Sequence, residues 1–97
     1  MSRVSLWVQL EAKAGKEKEL EEFLKSAQPL AQRESATLSW YAIKMGPGKF
    51  GIFDTFADDK GRDAHLNGEI AKALFAKAGE LLAKSPQVDK PEILAVK

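Results

Sequence analysis

The sequence predicts an α+β domain with the element order β-α-β-β-α-β, on three observations. Val4 to Ala12 alternates apolar and polar residues with the period of two of a half-buried strand. Two long stretches carry apolar residues at helical spacing, and two strand-like segments lie between them, joined by the turn Met45-Gly46-Pro47-Gly48. A last apolar segment, Pro91 to Lys97, follows the helix stop Ser85-Pro86. With 97 residues the chain forms a single domain, residues 1–97, with room for one modest core.

In the first strand Val4, Leu6, Val8 and Leu10 share one face, and Ser5, Trp7, Gln9 and Glu11 share the other. Ala14-Gly15-Lys16 ends it. In the segment Lys16 to Glu34, Leu20, Phe23, Leu24, Ala27 and Ala31 fall on one helical stripe, with glutamates early, where the helix dipole favours them. Pro29 lies inside this stripe and should kink the helix or mark its last turn, because it lacks an N–H and crowds the preceding turn. Thr37 to Met45 reads as the second strand and Lys49 to Ala57 as the third, folded back as a hairpin. Asp58 or Asp59 can cap a helix that reaches Leu66, and Asn67-Gly68 is a break. From Glu69 to Lys84, Ile70, Leu74, Ala78 and Leu81 align on one face, with Ala71, Phe75 and Leu82 beside them. Pro91 to Lys97 is expected to be the fourth strand.

This order is the split βαβ, or ferredoxin-like, arrangement: a four-stranded antiparallel sheet with helices on one face. The other face should then be polar, yet Trp7, Tyr41, Ile43, Met45, Phe53, Leu94 and Val96 make it apolar. An apolar face of that size marks an interface, and a second copy of the same sheet is the simplest cover. A homodimer through Trp7, Tyr41, Ile43 and Phe53 is therefore expected.

Charge and composition narrow the function classes. Fifteen Lys and Arg against 14 Asp and Glu leave no basic field for nucleic acid or membrane, so neither partner is expected. The absence of cysteine excludes disulfides and thiolate chemistry, and a single histidine serves metal binding poorly. No cofactor or metal is expected. Without an apolar run of signal-peptide or membrane-span length, a cytoplasmic location is the default expectation.

The stretch Phe50 to Leu66, FGIFDTFADDKGRDAHL, carries the chemistry. Phe50, Ile52, Asp54 and Phe56 share one strand face, and the following helix bears His65, the only histidine. A carboxylate among apolar neighbours must be paired or protonated, and an imidazole nearby resolves the problem. His65 is the candidate for proton transfer, with Asp54 orienting it. Both also fit a purely structural bridge between helix and strand. Phe56 and Phe75 are candidates for an aromatic pocket floor, although aromatics at this spacing also serve as core. Trp40 and Tyr41 point to opposite faces, and the parity that places Phe56 inside places Trp40 with it.

Strand one, the helix ending in Arg33-Glu34, the strand Leu38-Ser39-Trp40-Tyr41, Asp54 two residues before Phe56, the Asp58 turn and Ala64-His65-Leu66 recur in a known order. In this the chain resembles the antibiotic biosynthesis monooxygenase domain, a dimeric α/β-barrel family that includes small quinol monooxygenases and anthrone oxygenases. The resemblance covers nearly the whole length and rests on order and spacing. It implies two ferredoxin-like subunits pairing their sheets into a barrel, each with its own pocket. It also implies that Phe56 stands where many members carry Trp, that Asp54 is the acidic strand residue and that His65 is the helix histidine. The implied activity is oxidation of a small electron-rich aromatic, a hydroquinone or anthrone, by molecular oxygen with neither metal nor flavin. The haem-degrading relatives use an Asn, a Trp and a late-helix His where this chain has Val8, Phe56 and the Ala73 region, so haem degradation is not implied. A binding or structural dimer without chemistry is the alternative the fold leaves open.

Overall fold

The computed structural model describes residues 1–97. The elements are β1 (Val4–Glu11), α1 (Glu17–Ser26), α2 (Gln28–Arg33), β2 (Thr37–Gly46), β3 (Lys49–Phe56), α3 (Asp59–Leu66), α4 (Glu69–Leu81) and β4 (Gln87–Asp89). The sheet is antiparallel in the order β2-β3-β1-β4, the ferredoxin-like order that the sequence predicts. Each predicted helix is divided in two. Pro29 sits in the first turn of α2, where a missing N–H costs nothing, so the chain breaks at Ala27 and restarts. Asn67-Gly68 separates α3 from α4, as expected.

The turn Pro47-Gly48 closes the β2–β3 hairpin, with Gly48 at φ +72°, a left-handed position that favours glycine. On the helix side of the sheet, Leu6, Val8 and Leu10 of β1 and Phe50, Ile52 and Phe56 of β3 are buried. Val8, Leu10, Phe50 and Ile52 pack with Leu20 and Leu24 of α1 and Leu74 and Leu81 of α4. Full burial of each such side chain contributes about 1.5–3 kcal/mol before entropy is counted. Trp40 touches this cluster and a smaller one of Ala27, Ala31 and Ile70, which ties α2 and α4 to β2.

The fourth strand is not where the sequence places it. The regular ladder with β1 is Gln87–Asp89, and Lys90-Pro91 interrupts it. Pairing resumes only at Glu92 opposite Val4, with Ile93 N–H donating to Arg3 carbonyl oxygen at 2.9 Å. Leu94 and Val96 lie beyond the sheet and are exposed, so they do not extend its second face. That face is carried instead by Trp7, Phe53 and Tyr41 in one cross-strand row, with Ile43 beyond it. No helix is long and apolar enough to cross a membrane.

Candidate functional site

Three elements bring the site together. Register places Asp54 of β3 between Leu6 of β1 and Trp40 of β2, on the helix side of the sheet. Above it runs α3, whose start is fixed by the Asp58 side chain accepting from the Gly61 N–H at 2.9 Å. This cap sets the helix phase that turns His65, in the last turn, down onto the sheet. The third element is the junction of α2 with β2, where Glu34 caps the helix C-terminus and Thr37 opens the strand.

These residues form one chain of polar contacts, buried at Asp54 and His65 and half-buried at Glu34 and Thr37. His65 Nε2 lies 2.9 Å from Asp54 Oδ2, and Nδ1 lies 2.6 Å from Glu34 Oε1. The Thr37 hydroxyl donates to the same Glu34 oxygen at 2.7 Å. The contact with Asp54 has the distance of an ion pair but not the alignment of a well-formed hydrogen bond, and neither Asp54 oxygen has another partner. Asp54 is 1% exposed and His65 7%. Burial pushes the Asp54 carboxyl above its ordinary range, and the hydrogen-bonding and charge of His65 offset this only in part. Burial also disfavours the imidazolium of His65, but the carboxylates of Asp54 and Glu34 outweigh it and hold the His65 pKa above its ordinary value.

Beside His65 a solvent-open cleft of about 470 Å³ runs between α2, α3 and the start of α4. Glu34, Thr37, Arg33 and Glu69 line it with His65, so polar groups stand among apolar wall contributed by Leu30, Ala36 and Ala64. A larger groove of about 750 Å³ between α1 and α4 has Phe23, Leu30 and Ile70 in its walls, with Glu19, Glu22 and Lys77 also lining it. It holds no buried titratable group, so the smaller cleft is the candidate site.

The candidate residues divide accordingly. His65 lines the cleft, and Asp54 stands behind it. Phe56 is fully buried under the imidazole, with ring centroids 5.4 Å apart, and supports His65 rather than lining a pocket. Trp40 shares the inward face as its parity predicts, but it fills core and its indole N–H is buried without a partner. Phe75 is 55% exposed and does not line the cleft. It sits one residue past buried Leu74, about 100° round the helix, which turns it out to solvent. Glu34 was visible only as part of a family pattern and not as a site residue. One local signal marks it, since a carboxylate at a helix C-terminus opposes the dipole and so calls for a partner elsewhere.

No protein-family model matches the chain, and no curated protein does. Solved structures do. A protein of unknown function from Nitrosomonas europaea is 55% identical over all of this chain and 94% of its own, with a TM-score of 0.98. A "putative antibiotic biosynthesis monooxygenase" from the same organism has a TM-score of 0.85 at 14% identity, over 96% of this chain and 91% of its own. One of the same description from Caulobacter crescentus has 0.80 at 18%, over 97% and 92%. The last two are similar in fold alone. The chain thus belongs to the same family as the Nitrosomonas europaea protein of unknown function, within the antibiotic biosynthesis monooxygenase-like fold.

Proposed function

We propose that the chain is a cofactor-independent monooxygenase that oxidises a small electron-rich aromatic, such as a hydroquinone or anthrone, with molecular oxygen. The observation that carries this reading is the solvent-open cleft beside a histidine clamped between two carboxylates. A cleft of this volume suits a small ring, and the polar groups in its walls suit one bearing hydroxyl or carbonyl groups. Proton removal leaves a carbanion or phenolate able to give an electron to oxygen. Recombination yields a hydroperoxide, and loss of water leaves the carbonyl product, so an anthrone methylene and O2 become a ketone and H2O. The protein positions the ring, moves the proton and shields the intermediate. Similarity in fold to proteins described as monooxygenases supports the reaction class.

Oxygen uptake with a panel of hydroquinones and anthrones tests the reading, with uptake expected for the wild type and slowed greatly in His65→Gln. A panel without uptake refutes it. A second reading, a structural or ligand-holding dimer, is favoured by one observation: both His65 nitrogens are already engaged, as in a strut that ties α3 to β3. In either case we propose that the face bearing Trp7, Tyr41, Ile43 and Phe53 pairs with a second copy. Exposure of Tyr41, Ile43 and Met45 in the single chain supports this.

A further inference from the structure

His65 is the obvious base, but its surroundings leave it no way to act as one. Nδ1 faces Glu34 and Nε2 faces Asp54, so the rest of the ring offers the cleft only carbon. A ring flanked by two carboxylates carries its proton rather than accepting one. Glu34 is placed differently. Its Oε1 receives both the Thr37 hydroxyl and His65 Nδ1, which fixes the carboxylate, while Oε2 receives neither. Oε2 lies beside Gly68, where an added Cβ would stand 3.2 Å from it, and Glu34 and Gly68 both line the cleft. The Glu34 side chain is 22% exposed, against 1% for Asp54. Glu69 also lines the cleft, but it is exposed and no side-chain hydrogen bond holds it.

We propose that Glu34, through Oε2, is the base that removes the substrate proton, with His65 and Asp54 as positioning residues behind it. This rests on the cleft reading above and deepens it. In the step, the substrate C–H or O–H bond breaks, its proton passes to Glu34 Oε2, and the electron pair stays on the substrate. His65, charged and hydrogen-bonded to the same carboxylate, holds Glu34 in place and offsets the negative charge that forms in the cleft. After oxygen has added, Glu34 returns the proton to the peroxide oxygen, and water leaves. His65 has a use even though it never touches substrate. Without it, two carboxylates would face each other across the end of α3.

The test separates proton removal from oxygen chemistry. Anthrone is incubated with the protein in deuterated buffer without oxygen, and exchange at its methylene is followed by proton NMR. Wild type is expected to accelerate exchange, and Glu34→Gln to lose about a hundredfold or more of it, the usual contribution of a positioned base. KM should change little while kcat falls, with the fold checked by circular dichroism. Glu34→Asp, which keeps a carboxylate, should recover part of the rate, and His65→Gln should lose about tenfold. Wild-type exchange in Glu34→Gln together with none in His65→Gln would make His65 the base, overturning this inference while leaving the cleft as the site. Failure of the wild type to accelerate exchange would sink both.

Discussion

The Trp7 indole occupies the space over Gly51: a Cβ at position 51 would lie 2.4 Å from Cη2 and 2.7 Å from Cζ3. The two residues sit on neighbouring strands, on the face away from the helices, two pairs apart along the ladder. Glycine here is required by close approach, since only a missing side chain lets the ring lie down on the sheet. The expected result of Gly51→Ala is therefore a loss of about 1–3 kcal/mol, the cost of overpacking. Trp7→Leu should relieve it, making the double variant less unstable than the sum of the two. Urea unfolding of the four proteins measures this, and strict additivity would show that the ring moves aside freely.

The same ring begins the row Trp7, Phe53, Tyr41 across three strands, with Tyr41 56% exposed. If this face pairs with a second copy, a charge placed on it must be desolvated there without a partner. Ile43→Lys is expected to shift a dimer to monomer in light scattering, weakening association at least about tenfold. Lys25→Glu, on the helix layer, is the control and should leave the mass unchanged. A wild type that already runs as a monomer at micromolar concentration refutes the pairing.

What was legible in the sequence follows from what side-chain patterns encode. Alternation in Val4 to Glu11 and Lys49 to Phe56 gave strand and parity together, because one face of each is buried. Parity placed Asp54 under the helices, and a single helix phase then placed His65 above it. The fourth strand escaped because an edge ladder is made by backbone, and Gln87-Val88-Asp89 points only Val88 inward. The more apolar segment Pro91 to Lys97 reads as a strand instead. Glu34 escaped for another reason. It stands 31 residues from His65, and no periodicity spans that distance. Phe75 misled because helix faces blur at their edges, where one position separates core from solvent.

Removing His65 exposes what it does for Asp54. Both carboxylate oxygens are buried, and His65 is the side chain that pairs with Asp54. His65→Ala is thus expected to cost about 3–5 kcal/mol, the usual penalty for leaving half of a buried pair. Adding Asp54→Asn to His65→Ala should restore more than about 1 kcal/mol, since the stranded charge is gone. Denaturant titration of the two single variants and the double one closes the cycle. Independent effects would mean that Asp54 and His65 do not stabilise each other.

The same pair fixes how stability should change with pH. His65 has a folded pKa above its ordinary 6.5, so the stability it contributes is fully present below 6.5 and is lost as pH rises through the folded value. Asp54 is also raised, from 3.8, so between 3.8 and its folded value the folded state keeps a proton that the unfolded chain releases. Its effect has the same sign, with stability falling as pH rises. Glu21 is lowered from 4.5 by Lys44 and Lys25 and acts oppositely, losing its contribution on acidification, but it is on the surface, where screening leaves little. The urea midpoint should therefore decline as pH rises above 6.5, and His65→Gln should flatten that decline. The Asp54 effect begins at 3.8, on the acid side, so Asp54→Asn should alter the acid limb. Because the two groups interact, the wild-type curve is a property of the pair and not of either residue. A wild-type midpoint that climbs across this window would show that His65 is held neutral, and the clamp between Asp54 and Glu34 would have to be read as two hydrogen bonds to an uncharged ring.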